Sequence, residues 1–152
     1  MELESKPDPK RLAGQNFKDG YNCAEAILRA FRDSYNLDIS DEALKMASGF
    51  GGGVGHSGCM CGALTASVMV LGVLEGRTDS SQNRDPIYSS AAQFHDKFAN
   101  KFGGTCCRIL NSHPFETKEH LRHCLKITGN TAGMLTEFLA EKESDSKAEG
   151  QE

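Results

Sequence analysis

Six cysteines in a chain of 152 residues are the groups most able to do chemistry. Cys59 and Cys61 stand one residue apart in Ser57-Gly58-Cys59-Met60-Cys61, Cys106 and Cys107 are adjacent, and Cys23 and Cys124 stand singly. Their neighbourhoods point to thiolates. Asn22-Cys23-Ala24-Glu25 reads as a capping box, which puts Cys23 at the first position of a helix. Cys59 and Cys61 lie at the mouth of an apolar run that follows a glycine-rich loop. Thr105 can cap a short helix opened by Cys106 and Cys107. Five of the six cysteines therefore fall at expected helix N-termini. Unpaired N–H groups and the helix dipole favour an anion there, and a thiol pKa can drop from about 8.5 toward roughly 3.5 to 7.5. Cys124 falls mid-helix, on an apolar stripe with Leu121, Leu125, Thr128, Ala132, Leu135 and Leu139, so it faces inward.

Three chemistries use thiolates in this number. They can ligate a metal or an iron–sulfur cluster. They can exchange with disulfides as an oxidoreductase or thiol redox sensor, with Cys61 attacking and Cys59, Cys106 or Cys107 resolving, and Cys106–Cys107 able to close into a ring. They can also share a structural zinc with histidines in an interaction module. His120 is one helical turn before Cys124, His123 precedes it directly, and His56 lies three residues before Cys59. Neither Cys-x-Cys nor Cys-Cys has the C-x2-C spacing of a zinc ribbon. Packing accounts for a single buried cysteine such as Cys124 more readily than for the whole set.

The glycine loop Gly49-Phe50-Gly51-Gly52-Gly53-Val54-Gly55-His56-Ser57-Gly58 contains G-x-G-x-x-G by letter, but the residues before it read as helix. A dinucleotide site needs a strand there. The reading left is a nest in which the backbone of Gly51, Gly52, Gly53 and Gly55 approaches a thiolate or a cluster sulfur.

The elements that position these groups are expected to be helices alone. No alternating strand pattern appears, and helical spacing recurs throughout. One helix is expected over residues 9–18, a second from Asn22, and a third from Ser40 through Ala47. A central buried helix spans about 59–75, and another begins with Asp85 as cap and Pro86 as first residue. The last runs from near Thr117 to about Ala140, with Gly129 and Gly133 as weak points. The result is an all-α single-domain bundle of five to six helices over residues 9–140, with a glycine-rich loop before the central helix. A flexible stretch 1–8 precedes it and a disordered acidic tail 141–152 follows. That tail carries five acidic and two basic residues, so with a formal charge of −4 for the chain the helical part is nearly neutral. A phosphate backbone finds no basic stripe, which argues against a nucleic-acid partner. The longest apolar run falls short of the roughly 20 residues of a membrane span. No secretory signal opens the chain, so a cytoplasmic location without membrane insertion is expected.

Four segments in order resemble one known family. They are Gly20-Tyr21-Asn22-Cys23-Ala24-Glu25-Ala26, the loop Gly49 to Gly53, Cys61-Gly62-Ala63-Leu64-Thr65, and Phe102-Gly103-Gly104-Thr105-Cys106-Cys107-Arg108. Together they are similar to the C-GCAxxG-C-C redox-active proteins, a module that also accompanies haem domains in split-Soret cytochromes. The resemblance implies that Cys23, Cys61, Cys107 and Cys124 are the family cysteines, with Cys59 and Cys106 as extras. Ala66 stands near where the family block carries a glycine. It further implies an iron–sulfur centre held by those four residues, passing electrons to a redox partner protein.

Overall fold

The computed structural model describes residues 6–149. Its elements are α1 (Pro9–Lys18), α2 (Cys23–Tyr35), α3 (Asp41–Lys45), a 3-10 turn (Ser48–Phe50), α4 (Gly51–Val54), α5 (Gly62–Glu75), α6 (Asp85–Phe102), α7 (Cys107–Leu110) and α8 (Lys118–Glu149). The described residues contain no strand, so the chain is the expected all-α bundle.

Local chemistry sets most boundaries. Asp8 accepts a hydrogen bond from the Lys10 N–H and Pro9 occupies the first turn of α1. Both halves of the α2 capping box form: Glu25 N–H donates to Asn22 Oδ1 at 2.9 Å, and Asn22 N–H to Glu25 Oε1 at 3.0 Å. Asn36, left-handed at φ 52°, ends that helix. Ser40 caps α3 through the Ala43 N–H.

Helix α5 is apolar on nearly every side and sits in the middle, packed against α2, α6 and α8. Ile27, Phe31, Leu64, Leu71, Phe94, Phe98 and Leu135 are fully buried around it. Each such side chain contributes about 1.5–3 kcal/mol by leaving water. No helix among the described residues is long and apolar enough to cross a membrane.

Several boundaries differ from the sequence expectation. Helix α5 starts at Gly62 with Cys61 as its cap, which leaves Cys59 outside the helix. Helix α6 begins at Asp85 with Arg84 as its cap, one residue earlier than expected. Leu121 is 48% exposed and off the buried stripe.

Helix α8 passes through Gly129 and Gly133 without a break and continues to Glu149. Those glycines face α1: a Cβ on either would lie 4.0 and 3.5 Å from the Lys10 side chain. A Cβ would make only ordinary contact there, and the packing of α1 along α8 holds the helix through both glycines despite a helix-propensity cost of about 1 kcal/mol each. The segment expected as a disordered tail is helical through Glu149, and residues 150–152 lie outside the described residues. Of the expected flexible stretch 1–8, residues 1–5 are likewise outside. Pro7 accepts a hydrogen bond from the buried Ser34 hydroxyl.

Candidate functional site

Four elements deliver four free thiols to one place. Cys23 is the first residue of α2, Cys61 caps α5, Cys107 is the first residue of α7, and Cys124 lies within α8. All four line a small internal cavity of about 20 Å³, together with Leu110, Ile127, Thr128, Asn111 and Gly52. The remaining two cysteines, Cys59 and Cys106, form a disulfide. A ring between Cys106 and Cys107 is therefore not what the structure holds. Cys106 turns to Cys59, whereas Cys107 turns inward and is buried.

The glycine loop builds one wall. Gly52 and Gly53 adopt φ of 64° and 68°, so the chain doubles back inside α4, and the Gly52 N–H reaches the Cys23 sulfur. The Ala24 and Gly62 N–H groups point to the same sulfur. Gly62 is required for another reason: a Cβ there would stand 2.6 Å from Cys23 Sγ. Of the loop glycines expected to form a nest, Gly52 alone touches a thiol. Gly51 makes room for the Asn22 side chain, Gly53 for the backbone at Cys59, and Gly55 turns the chain at φ 59°.

The thiols are electrostatically unequal. The Cys61 S–H donates to Cys23, and with the backbone N–H groups it brings the Cys23 pKa down from 9.0 to about 7 against the cost of burial. Cys61 is held well above its ordinary value, first because it keeps the proton it shares with Cys23 and then by burial. Burial raises Cys107. Cys124 is pushed up to about 12 by burial, opposed by the Asn111 amide that donates to it.

A polar girdle surrounds Cys124. Asn111 Nδ2 donates to Cys124 Sγ at 3.3 Å and to the His120 carbonyl at 3.0 Å, and Asn111 Oδ1 accepts from the His113 N–H at 3.2 Å. His120 Nδ1 lies 3.1 Å from the His113 carbonyl, and Nε2 lies 3.3 Å from Cys124 Sγ. A carbonyl only accepts, so Nδ1 carries the hydrogen and Nε2 is free to accept from the thiol. Of the three histidines weighed as ligands, His120 alone touches a cysteine. His123 pairs with the Leu110 carbonyl at 2.8 Å, and His56 stacks on Phe115. Asn111 and His113 carry no local sequence signal. Asn111 becomes the neighbour of Cys124 only because the chain between α7 and Pro114 brings it against α8.

Outside the cavity an open cleft of about 600 Å³, walled by Tyr21, His56, His120 and Arg122, reaches Cys23 and Cys124. Cys61 and Cys107 lie behind them. Among the described residues, no three Cys, His, Asp or Glu side chains are gathered as a ready ligand set for a metal ion.

Against known proteins, residues 21–138 match the family described as "Putative redox-active protein (C_GCAxxG_C_C)". A protein of Archaeoglobus fulgidus described as "Uncharacterized protein" is 25% identical over 151 residues, covering 93% of this chain and 100% of its own length. No solved structure matches the chain.

Proposed function

Because the chain belongs to the C_GCAxxG_C_C family, we propose that its redox centre is the set Cys23, Cys61, Cys107 and Cys124, and that these four hold an iron–sulfur cluster. The observation that carries this reading is the convergence of four free thiols, from four separate elements, on one cavity while the other two cysteines are tied to each other. The donor chemistry fits, since four sulfurs are the ligand complement of such a cluster and N–H groups aimed at sulfur are the usual means of stabilising it. Binding would draw the four thiols around a cavity wider than the present one of about 20 Å³. A cluster bound there would accept and release single electrons.

The residues around the site have definite tasks. Leu110 and Ile127 keep water out, and Asn111 holds the Cys124 sulfur in position. The backbone of Gly52, Ala24 and Gly62 stabilises negative charge on Cys23. The cleft gives a redox partner protein its approach on the Cys23 and Cys124 side. A cytoplasmic location fits thiols kept reduced.

One observation favours a second reading. Cys23 and Cys61 line the same cavity, with the Cys23 sulfur against Gly62, the residue after Cys61, a placement open to a dithiol that closes reversibly into a disulfide.

Purification without air, followed by iron, sulfide and zinc analysis, a visible spectrum and a thiol count, tests both. Iron with sulfide and visible charge-transfer bands is expected. Cys61→Ala should abolish the colour and Cys59→Ala should keep it. A metal-free protein in which Cys23 and Cys61 reversibly lose two thiols would replace the cluster with the dithiol. Zinc without colour would make the site structural.

A further inference from the structure

We propose that the Cys59–Cys106 disulfide is a redox couple in its own right, which accepts electrons from the dithiol of a partner protein. It uses the two cysteines that the four-thiol centre leaves out, so it stands apart from that reading.

Four features carry the inference. Both cysteines are partly exposed, unlike the buried Cys23, Cys61 and Cys107, so a partner thiolate has access. The bond is not alone in joining its two segments. Cys61 N–H donates to the Thr105 carbonyl at 2.8 Å and Arg108 N–H to the Gly58 carbonyl at 3.0 Å, so the segments stay paired when the sulfurs part.

The rim also suits a partner. Ile109 is 66% exposed, and Arg108 lays its side chain along Gly58, the residue before Cys59, where a Cβ would meet it at 3.2 Å. Finally, the pair abuts the buried thiols: Cys59 is two residues from Cys61, and Cys106 is bonded directly to Cys107 along the chain. A disulfide in a reducing compartment, where this chain is expected, is commonly the transient kind that does redox work.

The step balances as an exchange. A partner thiolate attacks one sulfur of the pair and forms a mixed disulfide, while the S–S bond breaks and the other sulfur leaves as a thiolate that takes up a proton. The partner's second thiol, deprotonated, then attacks its own sulfur in the mixed disulfide and displaces the remaining cysteine, which is protonated in turn. The net change moves two electrons and two protons from the partner dithiol to Cys59 and Cys106 and leaves the partner as a disulfide.

The test counts thiols in the full chain. Protein is treated with dithiothreitol under native conditions, excess reagent is removed, and all free thiols are then capped with maleimide in denaturant and counted by mass. Four labels are expected before reduction and six after it, with Cys59 and Cys106 as the new sites and the helical circular dichroism kept. Oxidised glutathione should return the count to four. A Cys-x-x-Ser peptide, whose single thiolate can attack the pair but has no second sulfur to release itself, should be captured by the oxidised native chain as a mixed disulfide at Cys59 or Cys106. The double variant Cys59→Ser with Cys106→Ser should stay at four labels under reduction. Two extra labels that appear only as helix is lost would make the bond a structural staple and overturn the proposal, as would failure of the peptide to form a mixed disulfide with the native chain. Iron and sulfide content are measured separately and each label is assigned to its residue, so an oxidised Cys23–Cys61 pair would be read apart from Cys59 and Cys106.

Discussion

At Gly62 one methyl group decides whether the Cys23 sulfur has room. A Cβ there would stand 2.6 Å from that sulfur and 2.7 Å from the Phe50 carbonyl oxygen. Backbone oxygen yields little, so Gly62→Ala is expected to cost about 1–3 kcal/mol in urea denaturation, as overpacking does. An unchanged midpoint would mean that the two segments part freely. The second residue-scale prediction concerns Cys23 in reduced, metal-free protein. The Cys61 thiol donates to it and stabilises its thiolate, so iodoacetamide labelling of Cys23 should turn on near pH 7 in the native chain. In Cys61→Ala that donor is gone and the midpoint should move to higher pH. A midpoint that stays near 7 would assign the effect to the backbone N–H groups instead. At this scale the resemblance to a family block singles out the same four cysteines that line one small cavity. It could not show the partner of Cys59, because that pairing joins residues 47 apart in the chain and depends on how the loop folds. Asn111 was illegible for the same reason.

Among the elements, α2 shows most clearly how local sequence places a reactive group. Its capping box immobilises Asn22, and Cys23 is the next residue. Asn22 also donates from Nδ2 to the Ser48 carbonyl at 3.0 Å, tying the helix start to the turn before the glycine loop. Asn22→Ala should therefore cost about 1 kcal/mol, the worth of an N-cap. For a chain of this size that lowers the melting temperature by roughly 2–4 °C. Calorimetry checks this, and a loss well beyond that range would show that the tie to Ser48 outweighs the cap. The box was readable because it spans only four residues. Helix α8 was misjudged at its end because composition alone marked residues 141–149 as polar, and nothing local shows that a helix already anchored by Leu135 and Phe138 carries on through exposed turns. Gly129 and Gly133 looked weak for the same reason: the neighbour they accommodate, α1, lies more than a hundred residues earlier.

For the whole molecule, the far end of α8 tests how stability is distributed. Residues 141–147 are mostly exposed, and the contact of Glu141 with Lys97 is a surface pair at 3.9 Å, a kind worth about 0–1 kcal/mol. A chain ending at Ala140 should lose helical signal in circular dichroism yet melt within a few degrees of the full chain, since about 1 kcal/mol moves a domain of this size by roughly 2–4 °C. A large drop would show that the extension braces the bundle. The all-α architecture was legible from periodicity throughout, whereas the site was legible only as a list of residues. Its cavity, its cleft and its disulfide arise from packing between distant elements.

The placement of Cys124 has a consequence for how the protein is made. Cys23, Cys61 and Cys107 are all synthesised before the helix that carries the fourth sulfur and closes the cavity with Ile127 and Thr128. A ribosome-bound chain that has not yet released α8 has three of the four cavity sulfurs and no closing wall. The four-thiol cavity is thus completed late in the life of the polypeptide, after translation has passed α8 and that helix has come to rest on α1.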